Sequence, residues 1–446
     1  MSEATSPLAV LPSQEEQTTV GNYFVSNYPP FSLWTSGRVG EALDQLERPG
    51  KVETQLGMYV HIPFCRKRCD FCYFRVYTDK NSKDIANYLD AMIAEADQLA
   101  KKPFARGRKL RFCYFGGGTP SYLSEAQLTR LFDGLRQAFP WDEAEEITFE
   151  CEPGTLTEKK VHAIRALGVT RLSLGVENFD DSVLEVNNRA HRSKEIYRAY
   201  QWARAAGYHQ INIDLIAGMV GETEENWRRC IEETIKLSPD GITIYQMEVP
   251  YNTTIYRDMK AQGNGAAPVA DWVTKRRWVK KAFETLEASG YTIGSAYTAV
   301  KDSAKTKFIY RDSLWTGADM LAVGVSSFGH LARVHYQNEV HMEPYIEAVQ
   351  QGRLPALRAL GITDEEEMIR QFVLQIKLGR LSAEPFRQRF GIDVIERWDG
   401  ILKAYEEAGY LTVRDGVIEL TRDGLLQVDR LLNAFFLPEH QGLRYT

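Results

Sequence analysis

Between Met58 and Pro250 the chain alternates two hydrophobic patterns. Short apolar runs rich in β-branched and aromatic residues predict strands at Met58 to Ile62, Leu110 to Phe115, Ile147 to Cys151, Arg171 to Val176, Gln210 to Ile216 and Gly241 to Met247. The stretches between them keep their apolar residues on one helical face: Asp84 to Lys101, Ser124 to Ala138, Thr157 to Leu167, Ser193 to Ala206 and Thr223 to Leu237. Strand–helix alternation at this spacing implies parallel strands with right-handed crossovers. Six such units make an open sheet or a barrel-like curl. In parallel barrels the groups that handle ligands gather at the C-terminal strand ends. The chemically conspicuous residues fall at those ends here, which favours the barrel.

The flanks read differently. Residues 1–21 are polar with few aromatics and predict a disordered terminus. Residues 22–57 begin with an aromatic run broken by Pro29 and Pro30, which is neither a helix nor a central strand. Such a strap must lie against something, either the main domain or the mouth of a site within it. Residues 58–250 form the βα domain. Residues 251–360 extend it through a helix over Asp271 to Ser289, a glycine-rich segment from Gly317 to Gly329 and a short run from Arg333 to Gln337. Residues 361–446 are mainly helical, with an Asp415-Gly416 hairpin between Leu411 and Leu420 and a last helical stretch over Asp423 to Phe435. Helices followed by a hairpin suggest a winged-helix-like module. Its many acidic residues favour packing or covering a substrate over binding DNA.

Composition narrows the class. A chain of 446 residues suggests two or three domains, and 44% hydrophobic residues can build a large core. The net charge of -6 gives no support to broad nucleic-acid binding. No apolar run reaches the length of a membrane span, and the polar start does not read as a signal peptide. The expectation is a cytoplasmic protein acting on a small molecule. In a reducing compartment, close thiols point to metal or redox chemistry.

Three thiols leave the first strand together, in His61-Ile62-Pro63-Phe64-Cys65-Arg66-Lys67-Arg68-Cys69-Asp70-Phe71-Cys72-Tyr73-Phe74. The C-x3-C-x2-C spacing suits an iron–sulfur cluster. Three cysteines on a four-iron cube leave one iron open, as a reactive metal centre requires. Arg66, Lys67 and Arg68 between them are expected to favour thiolates. Zinc and disulfides compete for the same residues, but no second C-x2-C or H-x3-H pair follows, and three close cysteines cannot all pair. Cys113, Cys151 and Cys230 are isolated and read as core thiols.

Other motifs sit at later strand ends. Gly116-Gly117-Gly118-Thr119-Pro120 is either a tight turn or a backbone that approaches a ligand and exposes its N–H groups. Glu150 and Glu152 share a face if the strand period of two continues. Asn212 and Asp214 share a face of an apolar strand, with Asp214 either paired to Arg189 or serving a ligand.

Taken together, Tyr59-Val60-His61-Ile62-Pro63-Phe64-Cys65 with its cysteine triplet, Gly116 to Pro120, Arg171-Leu172-Ser173-Leu174-Gly175-Val176 and Asn212-Ile213-Asp214-Leu215-Ile216-Ala217-Gly218 resemble the radical S-adenosylmethionine (SAM) superfamily. The branch they resemble contains oxygen-independent coproporphyrinogen III oxidase, heme chaperones and related methyltransferases. The resemblance implies an α/β fold: a partial (β/α)6 barrel with a mainly helical, winged-helix-like C-terminal domain. It implies a [4Fe–4S] cluster on Cys65, Cys69 and Cys72, and SAM, with a second SAM in some members. It implies Tyr59, Gly117, Gly118, Thr119, Glu150, Glu177, Arg189 and Asp214 as SAM-binding positions. An electron donor such as flavodoxin or ferredoxin is the implied partner. SAM would be cleaved reductively to a 5′-deoxyadenosyl radical that takes hydrogen from an organic substrate, a tetrapyrrole among the candidates. Three positions depart from the pattern. Glu177 stands where the branch usually has Gln, and Phe74 where the oxidases have a fourth cysteine. Tyr310-Arg311-Asp312-Ser313-Leu314-Trp315 lacks the His-Asn that begins the chaperone signature. A two-SAM methyltransferase or cyclopropane-forming enzyme and a non-enzymatic heme chaperone are the alternatives.

Overall fold

A computed structural model describes residues 17–21, 23–263 and 267–443. Six strands follow the predicted alternation: β1 (Leu56–Ile62), β2 (Leu110–Gly117), β3 (Glu146–Cys151), β4 (Arg171–Glu177), β5 (Gln210–Ala217) and β6 (Gly241–Gln246). They pair in sequence order, all parallel. The helices between them start where the sequence supplies caps. Asn81, Ser124 and Thr223 each accept from the first-turn backbone and complete a capping box.

The sheet does not stop at six strands. Beyond β7 (Thr292–Ile293) and β8 (Thr298–Val300), the chain returns to the opposite edge with β9 (Asp319–Val323), which pairs parallel with β1. Then β10 (Phe328–Leu331), β11 (Val334–Asn338) and β12 (Ala356–Gly361) extend that edge antiparallel. The final order is β12-β11-β10-β9-β1-β2-β3-β4-β5-β6-β8-β7, a curled sheet that stays open. Residues read as a glycine-rich segment thus contribute a fully buried strand.

One end of the curl is plugged. The helix Ile309–Trp315 sits against the N-terminal strand ends, where Glu146 at the start of β3 accepts from Ile309 N at 2.9 Å and Tyr310 N at 3.2 Å. Arg171, at the start of β4, lies 4.1 Å above the Phe308 ring. Asp319 and Arg108 add a buried ion pair of 2.7 Å nearby. This helix fills the interior at the N-terminal strand ends, where Tyr310 packs on Tyr114.

The C-terminal region has its own core, with Phe372, Trp398, Tyr405 and Phe435 at its centre. Its strands β13 (Arg380–Ser382), β14 (Leu411–Arg414) and β15 (Val417–Leu420) form the small antiparallel sheet of a winged-helix-like module. The stretch Asp423 to Phe435 is not one helix but breaks into Arg422–Leu425, Val428–Leu432 and a final tight turn. The aromatic strap serves both neighbours. Val25 and Tyr28 join the C-terminal core, whereas Phe31 and Trp34 pack on Phe328 and Leu360 of the main sheet. Phe24 meets Tyr245 and Tyr297 at the open end. Of the terminus expected to be disordered, residues 1–16 lie outside the described residues. Thr18 is instead buried, accepting from Lys275 Nζ at 2.8 Å.

Candidate active site

The loop after β1 is fixed at its root. Cys65 N donates to Tyr77 O at 3.0 Å and Tyr77 N to Pro63 O at 2.8 Å. This folds the segment 65–77 back on itself and brings Cys65, Cys69 and Cys72 together above the strand ends. No three His, Cys, Asp or Glu side chains converge on a single ion among the described residues. A cube takes each thiolate on a different iron, so its ligands stand further apart than those of one ion. The three thiols are close enough that Cys72 and Cys69 each disfavour ionisation of Cys65, and Cys69 that of Cys72. Three mutually close thiols on one loop are a donor set that fits a cluster.

The intervening cations have partners of their own, although Arg68 favours the Cys72 thiolate. Arg66 forks onto Glu152 at 3.0 and 3.1 Å, and Arg68 donates to the carbonyls of Cys72 and Asn252. Without metal, burial pushes the Cys65 thiol up to about 12 and Cys72 to about 11. Loading a cluster must therefore remove protons as metal enters. The guanidinium that reaches a sulfur is Arg189, whose Nη1 donates to Cys69 Sγ at 3.2 Å. Arg189 Nη2 donates to Gly175 O at 2.6 Å and lies 3.4 Å from Glu177. Cys65 Sγ accepts from Thr119 Oγ1 at 3.2 Å.

The glycine turn does something other than expose N–H groups. Gly117 N donates to Glu150, Gly118 N to Ile62 O and Thr119 N to Phe64 O. All three donors are engaged within the protein. What the turn needs is space: a Cβ on Gly118 would come within 2.9 Å of Ile62 O and 3.1 Å of Cys65 Sγ. At Gly117, with φ of +108°, a Cβ would strike the His61 ring at 2.5 Å. These glycines let the end of β2 pass beneath the thiol loop.

The inward faces of the strands supply the polar wall. Glu150 accepts from Tyr114 Oη at 2.6 Å, and burial raises it to about 7, with Asp214 adding to the shift. Asp214 accepts from Ser173 Oγ at 2.7 Å and Asn212 Nδ2 at 2.9 Å, so its partners are not Arg189. Burial raises Asp214 as well. Glu177 holds a left-handed φ of 62° and is raised to about 7 by burial, despite Arg189. Tyr59 stacks near Tyr114, with ring centroids 5.9 Å apart, and its hydroxyl lies 3.4 Å from His61 Nδ1. The shared face expected for Glu150 and Glu152 is not realised. β3 ends at Cys151, and Glu152 turns away to Arg66 and to His191 Nδ1 at 3.1 Å.

Two side chains that sequence reasoning left unassigned belong to this wall. His61 is two residues from Tyr59 and shares its face; its Nε2 is buried with no partner among the described residues. Tyr114 holds Glu150. The same period of two that placed Asp214 points to both.

Comparison with known proteins agrees with this geometry. Residues 59–234 match the model of the radical SAM superfamily, and residues 362–426 that of the HemN C-terminal domain. An open parallel sheet with a three-thiol loop at its C-terminal edge is the architecture of a radical SAM protein. The chain carries a radical SAM domain followed by a HemN C-terminal domain and is similar to the oxygen-independent coproporphyrinogen III oxidase-like branch of that superfamily, whose cofactors are a [4Fe–4S] cluster and SAM. It is 26% identical to the heme chaperone HemW of Bacillus subtilis (strain 168) over 84% of this chain and 98% of that one. It is equally similar, at 26%, to the oxygen-independent coproporphyrinogen III oxidase of Escherichia coli (strain K12), over 86% of each. The solved structure of the Escherichia coli coproporphyrinogen III oxidase superposes with a TM-score of 0.81 at 24% identity, covering 94% of this chain and 99% of that one. No helix among the described residues is long and apolar enough to cross a membrane.

Proposed function

We propose that the protein is a radical SAM enzyme in which Cys65, Cys69 and Cys72 hold the cluster, and that it abstracts hydrogen from an organic small molecule. The carrying observation is the convergence of these three thiols at the open end of the sheet, with Arg189 and Thr119 donating to two of the sulfurs. When bound, the cluster and SAM supply a 5′-deoxyadenosyl radical once one electron is delivered by a small carrier such as flavodoxin or ferredoxin. The chain's residues do the rest. Arg189 and Thr119 place charge-stabilising donors on the thiolates. Glu150 and Asp214 offer anionic acceptors to an ammonium group, and Tyr59 and His61 border the same space. The plugged floor excludes water from below. Anaerobic reconstitution, addition of SAM and reductant, and identification of the nucleoside product test this reading. Failure to form 5′-deoxyadenosine with a full iron complement would sink it.

One observation favours a two-SAM methyltransferase over the branch's better-known activities. Phe74 occupies the fourth-cysteine position and is 39% accessible beside Tyr73, an apolar surface at the mouth rather than another sulfur ligand. The chaperone alternative has less support. Its signature segment here is the floor helix Ile309–Trp315, where Tyr310 packs on Tyr114 and Arg311 binds Asp312 and Thr298, with no imidazole to hold a heme iron. With substrate, S-adenosylhomocysteine alongside 5′-deoxyadenosine marks methyl transfer, and carbon dioxide release without it marks the oxidase.

A further inference from the structure

One buried cation inside the sheet is bonded to nothing. Arg171 opens β4 with only 5% of its surface accessible. Its Nη1 is buried with no hydrogen-bond partner, and its guanidinium forms no salt bridge among the described residues. A guanidinium carries its charge permanently, and burying a charge without compensation is costly. The face of the Phe308 ring, 4.1 Å away, supplies part of that compensation. The rest must come from anions nearby.

The register of the sheet identifies those anions. Arg171 pairs with Thr148 on β3, and the period of two puts Glu146 and Glu150 on the same face, one on either side of Thr148. On β4, Ser173 is the next residue on the face of Arg171, and it donates to Asp214 of β5 at 2.7 Å. The Phe308 ring beneath the guanidinium neighbours Tyr114, with centroids 6.3 Å apart, and Tyr114 Oη reaches Glu150 at 2.6 Å. Arg171 therefore sits one layer below two carboxylates of the site and beside one carboxylate of the floor. It favours the charged form of Glu146, Glu150 and Asp214 alike, against the burial that raises all three. The other titratable groups around Glu150 bring no positive charge. Asp214 opposes its ionisation, and burial keeps the phenols of Tyr59, Tyr73, Tyr114, Tyr245 and Tyr310 neutral. Arg189 is turned to Cys69, Gly175 and Glu177, and Arg311 to Asp312 and Thr298.

A guanidinium bonded to Glu150 or Asp214 would neutralise that carboxylate and occupy its oxygens. A guanidinium held one layer away acts through its field alone, which a low-dielectric interior strengthens. Glu150 accepts from Tyr114 Oη and Gly117 N, and Asp214 from Ser173 Oγ and Asn212 Nδ2. A carboxylate has room for about four donors, so each keeps acceptor capacity. Resting on the radical SAM reading of the site, we propose that Arg171 is a positioning residue: from the start of β4 it holds Glu150 and Asp214 as anions, with lone pairs left for a cationic ligand that Arg171 itself does not touch.

Calorimetric titration of SAM across pH tests this on the full-length, anaerobically reconstituted protein and on its Arg171→Met and Arg171→Lys variants. In the wild type, binding should improve as pH rises through about 7, where Glu150 loses its proton. Without the guanidinium the carboxylate gives up that proton later. Arg171→Met should therefore move the midpoint up by about one pH unit, with affinities converging at higher pH. Arg171→Lys keeps the charge and should keep the midpoint. In a Glu150→Gln background, Arg171→Met should shift nothing near pH 7. A loss of affinity that is equal at every pH is what a merely structural role predicts, and it overturns the proposal. So does an unmoved midpoint in Arg171→Met, or one displaced as far in Arg171→Lys. Should Arg171→Met fold poorly, Arg171→Gln, which keeps a polar donor without the charge, decides alone. Formation of 5′-deoxyadenosine by the wild type reports on the radical SAM reading separately. Cleavage with an unmoved midpoint removes only the role of Arg171, and a shifted midpoint without cleavage removes only that reading. No SAM binding at any pH overturns both.

Discussion

The two ends of the parallel strands are built on opposite electrostatic plans. At the N-terminal end buried carboxylates meet buried guanidiniums, although Arg108 Nε and Nη1 and Arg171 Nη1 have no hydrogen-bond partner among the described residues. Arg108 and Asp319 pair at 2.7 Å with side chains 2% and 3% accessible, and Glu146 caps the helix that closes the floor. At the C-terminal end, Glu150 and Asp214 accept hydrogen bonds from neutral donors, burial raises the Cys65 and Cys72 thiols, and Glu177 sits in a left-handed conformation. The first arrangement holds a fold together. The second leaves Glu150 and Asp214 with no cation bonded to them beside three grouped thiols, and imbalance of this kind is what separates a site from a scaffold.

The largest expected effect is at the open end. Replacing Cys65, Cys69 and Cys72 together by Ala should abolish cluster absorbance and all SAM cleavage while leaving far-ultraviolet circular dichroism unchanged. A full iron complement in that variant would move the cluster to Cys113, Cys151 or Cys230 and erase the contrast. The reverse effect belongs to the floor. Arg108→Ala should lower stability by about 3–5 kcal/mol, because it strands a buried Asp319, with no change in iron bound per folded molecule. If denaturant unfolding shows no loss, the floor is not the structural end.

Smaller effects sharpen the comparison. Glu150→Gln should weaken SAM binding by about tenfold or more, as loss of a charged hydrogen bond predicts, with little change in thermal unfolding. A fall in Tm without weaker binding would make Glu150 structural. The same residue predicts a pH effect of definite sign. Its folded value, about 7, lies above the ordinary carboxylate range, so the folded state holds the proton more tightly than the unfolded one. Its contribution to stability is complete below that range and is lost as pH rises through about 7. Binding of a cationic ligand should run the other way and improve over the same interval. Calorimetric titration of SAM across pH checks this, and the improvement should vanish in Glu150→Gln. Smallest of all, Cys230→Ala should cost about 1 kcal/mol as a core truncation, with iron and SAM cleavage intact.

Much of this was legible before any coordinates. The strands and helices from β1 to β6 obey local periodicity, and the thiols announce themselves by spacing. What escaped was set by distant partners. Asp319–Val323 carries no pattern of its own; it is a strand because β1 offers it an edge. The face shared by Glu150 and Glu152 failed because a turn begins at Pro153, two residues after the last ladder residue of β3. The glycines read equally as a tight turn or as a backbone exposing its donors, because sequence shows that a side chain is missing but not what fills the space. The bond from Arg189 to Cys69 crosses 120 positions of chain that no local pattern connects.

The position of β9 governs the order in which the molecule can be completed. β1 carries the thiol loop and gains its near neighbour, β2, early in synthesis. Its other side stays an open edge until Asp319–Val323 has left the ribosome, in the last third of the chain. An unpaired edge frays and invites other strands, and long-range parallel pairing is slow to form. The loop that holds the thiols is therefore anchored late, by residues with no chemistry of their own, and a nascent chain cut short of them would present its cysteines on an unfinished sheet.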